Sequence, residues 1–310
     1  MKIFILAAQE NWITDQLAQE WIHHNKDLYT QNLQEADIIW ILSNYVADAI
    51  PLEIYKQKKI ITTIHHIVPW KTDLTKENHY KKLDSYTDVF LTNQEICKNT
   101  LRKYVKSPIK IMPLGINPNI YYHISDKQQL RNKFNIPETC FLIGSFQRDT
   151  EGDSITNKTY LPKLEKGPDI FIKAVKYYQD KLSNVTVLLT GRCRQYVMRE
   201  LDKINVPFIY HEMVDFNTIN EFYNCLDLYI VSSRVEGGPR AINECALAKV
   251  PIISTDVGIA RDILSKESIF DIDNLNDVKP NIDYAYNKAK EHIIPDHYKN
   301  FNKVFFDLLD

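Results

Sequence analysis

Two glutamates, Glu236 and Glu244, bracket the segment GGPRAIN at residues 237–243. Glu236 ends a loop that follows an apolar run, Gly237 and Gly238 come next, and Pro239 suits a first helical turn, where its missing N–H costs nothing. The two glycines let a backbone approach a bulky anion closely. The helix N-terminus behind them offers unpaired N–H groups and the positive end of a dipole. The stretch Ser232–Asp256 thus reads strand, loop, helix, strand, a design for holding a diphosphate. Glu244 falls a little over two helical turns from the loop, so one carboxylate sits at the helix mouth and the other deeper along its side. A carboxylate can accept two hydrogen bonds from a vicinal diol. A nucleotide sugar has two such diols, on its sugar ring and on its ribose.

These residues need strands and helices to hold them. Short apolar runs at Ile3–Leu6, Ile38–Leu42, Ile60–Ile64, Val89–Thr92 and Ile109–Met112 alternate with helical patterns at Trp12–His23, Pro51–Lys58 and Gln94–Tyr104. Continuous apolar strands separated by helices predict a parallel sheet covered on both faces. The second part repeats the logic. Its strands are expected at Phe141–Ser145, Val185–Thr190, Phe208–Tyr210, Leu228–Val231, Pro251–Ser254 and Ser268–Phe270, and its helices at Pro168–Asp180, Arg194–Ile204, Asn217–Asn224 and Pro239–Ala248. Pro113, Gly115 and Pro118 punctuate the connection between the two parts. In open α/β sheets ligands sit at the carboxyl ends of strands, so the motifs that follow strands matter most.

The pattern Glu236-x7-Glu244, followed by CALAKVPIISTDVGIARDIL at residues 245–264, resembles the family-4 glycosyltransferases of the GT-B fold. Gly144–Arg148 (GSFQR) with Lys166–Asp169 (KGPD) is similar to that family's Gly-Arg and Lys-Gly donor motifs. Val214–Ser233 is similar to its strand-helix-strand lead-in, and Ile109–Asn117 (IKIMPLGIN) to its inter-domain linker strand. The resemblance covers about residues 60–265. It implies an α/β GT-B fold with two doubly wound, Rossmann-like domains and a cleft between them. The acceptor-side domain would be residues 1–117, the nucleotide-sugar domain 118–289, and the tail from about 290 to 310 would pack back on the first.

The resemblance also implies roles. Arg148 and Lys166 would hold the donor diphosphate, with Gly144 in the same motif. Glu236 would contact the transferred sugar and Glu244 the ribose. Backbone at Gly237, Gly238, Arg240, Ala241 and Ile242 would meet phosphate oxygens, Met213 and Val214 would frame the base, and His65 would lie close to the transferred sugar and acceptor. The activity implied is that of a hexosyltransferase using a UDP- or GDP-linked donor, with retention of configuration, no cofactor and no catalytic metal. The physics agrees. A departing diphosphate carries negative charge, which Arg, Lys and a helix N-terminus stabilise where it develops. A sugar-nucleotide epimerase on the same fold, or a non-catalytic nucleotide-sugar binder, are the alternatives.

Composition narrows the field. The 310 residues are 44% hydrophobic and 25% charged, with a formal net charge of -2. That suits an ordinary globular chain long enough for two domains and gives no general argument for nucleic-acid binding. Lys71–Lys110 is locally basic, read either as a solvated helical face or as a docking surface for an anionic acceptor or lipid headgroups, so peripheral membrane contact stays open. Five cysteines without C-x-x-C spacing suit free thiols in a reducing compartment, and the expectation is a cytoplasmic protein. Met1–Ala8 reads as a buried strand rather than a leader. Arg192 and Arg194 would line the donor side or a solvated turn, Trp12 would stack on a sugar or pack as a staple, and the aromatic tail would pack. The polar loop Asp149–Glu165 would fold over the donor, and of its flanking lysines Lys166 is preferred to Lys163.

Overall fold

A computed structural model describes residues 1–10, 13–152 and 160–309. They form two compact units, one of Met1–Gly115 with Ile294–Asp310 and the other of Ile116–Ile293.

The first unit is built on a five-stranded, wholly parallel sheet, ordered β1 (Ile3–Leu6), β2 (Ile38–Ile41), β3 (Lys59–Ile64), β4 (Val89–Thr92) and β5 (Ile109–Ile111). Tyr29 makes a single parallel bridge to Ile3 on the edge of β1 away from β2. The chain therefore leaves β1 on one side and returns to β2 on the other, which is the doubly wound arrangement. Strand alternation divides the core in two. Ile38, Trp40 and Leu42 face α1 (Ile13–His24) and the chain's last helix, α12 (Tyr298–Asp307), while Ile39 and Ile41 face α2 (Leu52–Tyr55), α3 (Leu74–Asp84) and α4 (Glu95–Leu101). Trp21, fully buried, stands edge-on to Trp40 and Phe305 with ring centroids 5.8 and 5.7 Å apart. The tail's aromatics Tyr298, Phe301 and Phe305 are core residues of this unit.

The second unit carries a six-stranded parallel sheet in the order β11-β10-β9-β6-β7-β8. The strands are β6 (Phe141–Ser145), β7 (Val185–Thr190), β8 (Phe208–His211), β9 (Leu228–Val231), β10 (Ile252–Thr255) and β11 (Ile269–Phe270). Its helices are α5 (Lys127–Lys133), α6 (Pro168–Lys181), α7 (Gln195–Lys203), α8 (Phe216–Cys225), α9 (Arg240–Leu247), α10 (Ala260–Ile263) and α11 (Ile282–Ala289). The chain runs outward through β6, β7 and β8, then restarts at β9 on the other side of β6. The carboxyl ends of β6 and β9 are therefore the topological switch point, where sheets of this kind bind ligands.

All five cysteines are buried and free. No described helix is long and apolar enough to cross a membrane. In the basic stretch, Lys81 and Lys82 on α3 pair with Glu77 and Asp48, Lys98 on α4 with Glu95, and Lys110 on β5 with Asp307.

Candidate functional site

Both halves of the sequence motif leave the switch point. Residues 146–148 follow β6, and Ser232–Pro239 follow β9. Between them lies a turn at Leu164–Lys166 closed by Gly167, whose φ of +59° belongs to the left-handed region. A Cβ there would stand 1.9 Å from the Ser232 carbonyl oxygen. Only glycine lets this turn lie against the end of β9. The turn's position brings Lys166 to Glu236, and the Lys166 ammonium donates to Glu236 Oε1. Lys163, the other lysine of the segment, pairs instead with Glu165 at 3.2 Å and Glu151 at 3.8 Å.

Gln147 ties the three segments together. Its Nε2 donates to the Lys166 carbonyl at 3.0 Å, and its Oε1 lies 3.2 Å from the Ser233 hydroxyl. That hydroxyl is also 3.2 Å from Glu236 Oε1, so its one proton can go to either acceptor. Arg148, next in the chain, is half-buried and donates from Nε to the Thr150 carbonyl at 3.3 Å.

Helix α9 follows with Pro239 at its N-cap and no side-chain cap, which leaves its first amides open at the mouth. Gly258, with φ of +55°, packs against this mouth: a Cβ on it would meet Pro239 Cδ at 2.5 Å and the Gly238 backbone at 3.2 Å. Gly237 and Gly238 themselves have no positive φ. Ile242 is wholly buried in the core and Ala241 packs beside it, so these two present only backbone at the mouth. Glu244 is 8% exposed, accepts a hydrogen bond from Tyr223 Oη at 2.7 Å, and lies 3.4 Å from Arg240 Nε. Burial, and then the charge of Glu244, push the Tyr223 hydroxyl well above the usual tyrosine range, so it stays protonated as donor. The three guanidinium nitrogens of Arg240 are buried and make no hydrogen bond.

Residues 159–278 match the family model for glycosyl transferases group 1. That segment resembles a group 1 glycosyltransferase domain. The match spans Lys166, Glu236 and Glu244. The whole chain has the GT-B fold of solved glycosyltransferases. Anabaena HepE, in a crystal structure with UDP and glucose, aligns at TM-score 0.80 and 14% identity over 99% of this chain and 100% of that one. Sucrose-phosphate synthase from Thermosynechococcus elongatus aligns at 0.70 and 13%, over 98% and 80%. A glycosyltransferase from Rickettsia africae aligns at 0.65 and 14%, over 98% and 83%. No curated protein matches the sequence.

Two expectations, for Gly144 and Arg194, need revising on structural grounds. Gly144 lies inside β6, in register with Leu188 and Tyr229, and a Cβ on it would stand 2.3 Å from a Leu226 methyl. Its glycine requirement comes from packing within the sheet. Arg194 neither lines a ligand site nor sits in a solvated turn. It is fully buried, pairs through Nε with Asp149, and donates from Nη1 to the carbonyls of Ser145 at 2.5 Å and Thr190 at 2.7 Å. It thereby clamps the ends of β6 and β7 behind Arg148. Close approach of backbone to backbone within the fold is required at Gly167 and Gly258, and Gly237 and Gly238 have no positive φ.

The other expected residues are dispersed around this frame. Met213 is 62% exposed just beyond β8, and Val214 packs against the core. Arg192 is exposed. His65 belongs to the first unit, at the carboxyl end of β3, with Nε2 3.0 Å from the Leu42 carbonyl. Burial, with a smaller contribution from His66, lowers its pKa to about 4, so the imidazole is neutral and Nε2–H is the donor. Trp12 and residues 153–159 of the polar loop lie outside the described residues.

Sequence patterns did not single out Tyr223, Gln147 or Ser233. Tyr223 approaches Glu244 from a separate helix, with no spacing signal to announce it. Gln147 and Ser233 sit inside quoted motifs, and only the fold shows that they bridge them.

Proposed function

We propose that this glycosyltransferase moves a hexosyl group from a UDP- or GDP-linked donor to a hydroxyl acceptor, with retention of anomeric configuration and without a catalytic metal, after the manner of family 4. The observation that carries the reading is the contact between Lys166 and Glu236 at the mouth of α9, with Glu244 held deeper on the same helix. A cation, a carboxylate and a helix N-terminus meet at the switch point of the sheet. A nucleoside diphosphate sugar offers the complementary sequence of groups: a sugar diol, a diphosphate and a ribose diol. In this reading Lys166 and Arg148 receive the charge of the leaving diphosphate, Glu236 orients the transferred sugar, and Glu244 accepts from the ribose hydroxyls. The amides of Arg240 and Ala241 face phosphate oxygen, Met213 and Val214 flank the base, and His65 serves the acceptor side as a neutral imidazole. The fold shared with HepE, whose crystal structure holds UDP and glucose, supports UDP as the first donor nucleotide to try. Lys166, Arg148 and the helix end supply positive charge where it is needed, which supports transfer without a metal.

Thermal unfolding with UDP, GDP and their sugars, each with and without chelator, tests the donor class. A ligand that binds only the folded state adds about 2.7 kcal/mol at a hundredfold excess over its Kd. The expected result is a shift with one nucleotide that chelator leaves unchanged and Glu244→Ala abolishes. The anomeric signal of the glycosylated product, read by NMR, then tests retention. If no nucleotide shifts the transition, the assignment fails.

A further inference from the structure

We infer that the guanidinium of Arg240 is a third anion-binding group of the donor site and grips the diphosphate directly, a step that rests on the donor-site reading above. The ground is its environment. All three nitrogens are buried and none makes a hydrogen bond, yet the side chain is only 11% exposed. A buried guanidinium costs free energy unless its donors are satisfied. Its nearest charge, Glu244 Oε1, is 3.4 Å from Nε, and the other oxygen of that carboxylate is held by Tyr223. A residue kept only to neutralise Glu244 would make a two-pronged hydrogen bond to it, as Arg234 does to Asp169 with Nη1 at 2.7 Å and Nη2 also engaged. Arg240 makes no hydrogen bond to Glu244, its Nε standing 3.4 Å from Oε1. Its two terminal nitrogens keep four N–H donors in a plane, the geometry that matches a phosphate in two-pronged fashion, and since all three nitrogens are closed to solvent the proposal includes that the side chain turns outward as the diphosphate enters.

Position along the chain says which anion. Arg240 is the first residue of α9, four after Glu236 and four before Glu244. If Glu236 serves the sugar and Glu244 the ribose, the group between them in the donor is the diphosphate. The open amides of the α9 mouth lie on the same residue. Arg240 therefore adds side-chain charge at a place where the family resemblance implies backbone contact alone. The same side chain holds Glu244 from behind, linking the diphosphate and ribose subsites.

Calorimetric titration with UDP, and displacement of bound UDP by inorganic pyrophosphate, test this on the full chain. Arg240→Ala should weaken UDP binding about 10- to 100-fold, as loss of a charged hydrogen-bonding group does, and should abolish displacement by pyrophosphate. Arg240→Lys, with one charge but no fork, should recover only part of it. Glu244→Ala should weaken UDP while leaving pyrophosphate's own affinity within a few-fold of the wild type, because pyrophosphate has no ribose. If pyrophosphate displaces UDP equally well from wild type and Arg240→Ala, or from neither, Arg240 only props Glu244 and the inference is overturned. If the wild type binds neither UDP nor GDP, the donor-site reading itself has failed and this inference falls with it.

Discussion

Lys166 and Glu236, 70 residues apart in the chain, meet in a direct ion pair at the carboxyl end of β9. Neither residue's local sequence demands the other. The contact exists because Gly167 lets the Leu164–Lys166 turn press on the Ser232 carbonyl. The pair gives a prediction that separates stability from chemistry. Lys166→Ala strips the cation from a carboxylate that is only 11% exposed, which should cost about 1–3 kcal/mol of stability and lower turnover on the order of 100- to 1000-fold. Lys166→Ala/Glu236→Ala removes both charges, so its stability in urea should recover toward wild type while turnover stays low. Recovered turnover in the double variant would mean that Lys166 acts only as the partner of Glu236.

The two glycines flanking this region should respond differently to the same added methyl group. Gly167→Ala meets backbone at 1.9 Å and a left-handed φ, and backbone cannot step aside. A loss of at least about 3 kcal/mol is expected, together with loss of donor turnover as Lys166 is displaced. Gly144→Ala meets only the Leu226 side chain. It should cost about 1–3 kcal/mol, and Gly144→Ala/Leu226→Ala should regain much of that in denaturant titration. Absence of rescue would show that Gly144 is required for something other than its fit against Leu226.

The strands of both sheets were legible because most are short apolar runs between helical patterns, and the central ones, such as β2 (IIWI) and β9 (LYIV), are buried on both faces. Helices were legible where an apolar stripe faces a core, as in α6 with Ile170, Phe171, Ala174 and Val175. α5 escaped notice because its sequence, KQQLRNK, has one apolar residue. It is held instead by the Asp126 cap at 2.8 Å and by Arg131, which is buried and reaches Asp227 at 2.6 Å. The site was legible as motifs but not as contacts. Gly144 was legible as a strand residue in a donor motif, but glycine suits ligand approach and close strand packing alike, and the packing against Leu226 emerges only from the fold. Arg194 looked like a surface cation because its partners, Asp149 and the Ser145 and Thr190 carbonyls, are supplied by three separate segments.

That buried pair makes its own forecast. Arg194 and Asp149 are 0% and 2% exposed at the side chain. Removing one member leaves the other charged and unpaired in the interior, so Arg194→Met or Asp149→Leu alone should cost about 3–5 kcal/mol. Arg194→Met/Asp149→Leu should be more stable than either single variant. Chemical denaturation of the three proteins decides it. Additive losses would mean that the Arg194 bonds to Ser145 and Thr190 carry the stabilisation and the ion pair carries little.

The pH dependence of stability should carry the signature of His65. Burial lowers its folded pKa to about 4, below the roughly 6.5 of an unfolded histidine. As pH falls, the unfolded chain takes up its proton first, so the stability contributed by the neutral imidazole is complete above about pH 6.5 and is lost between about 6.5 and 4. At about pH 5 that loss is roughly 2 kcal/mol. His65→Gln cannot titrate, so its deficit relative to wild type, measured by urea unfolding at about pH 7, should narrow or reverse by roughly that amount at about pH 5. A deficit equal at both pH values would show that the folded protein charges His65 freely. The same neutrality bears on catalysis. Between about pH 5 and 8 the imidazole does not change charge, so any limb of the rate profile in that range belongs to another group, and His65→Gln should leave its midpoint in place while changing its height.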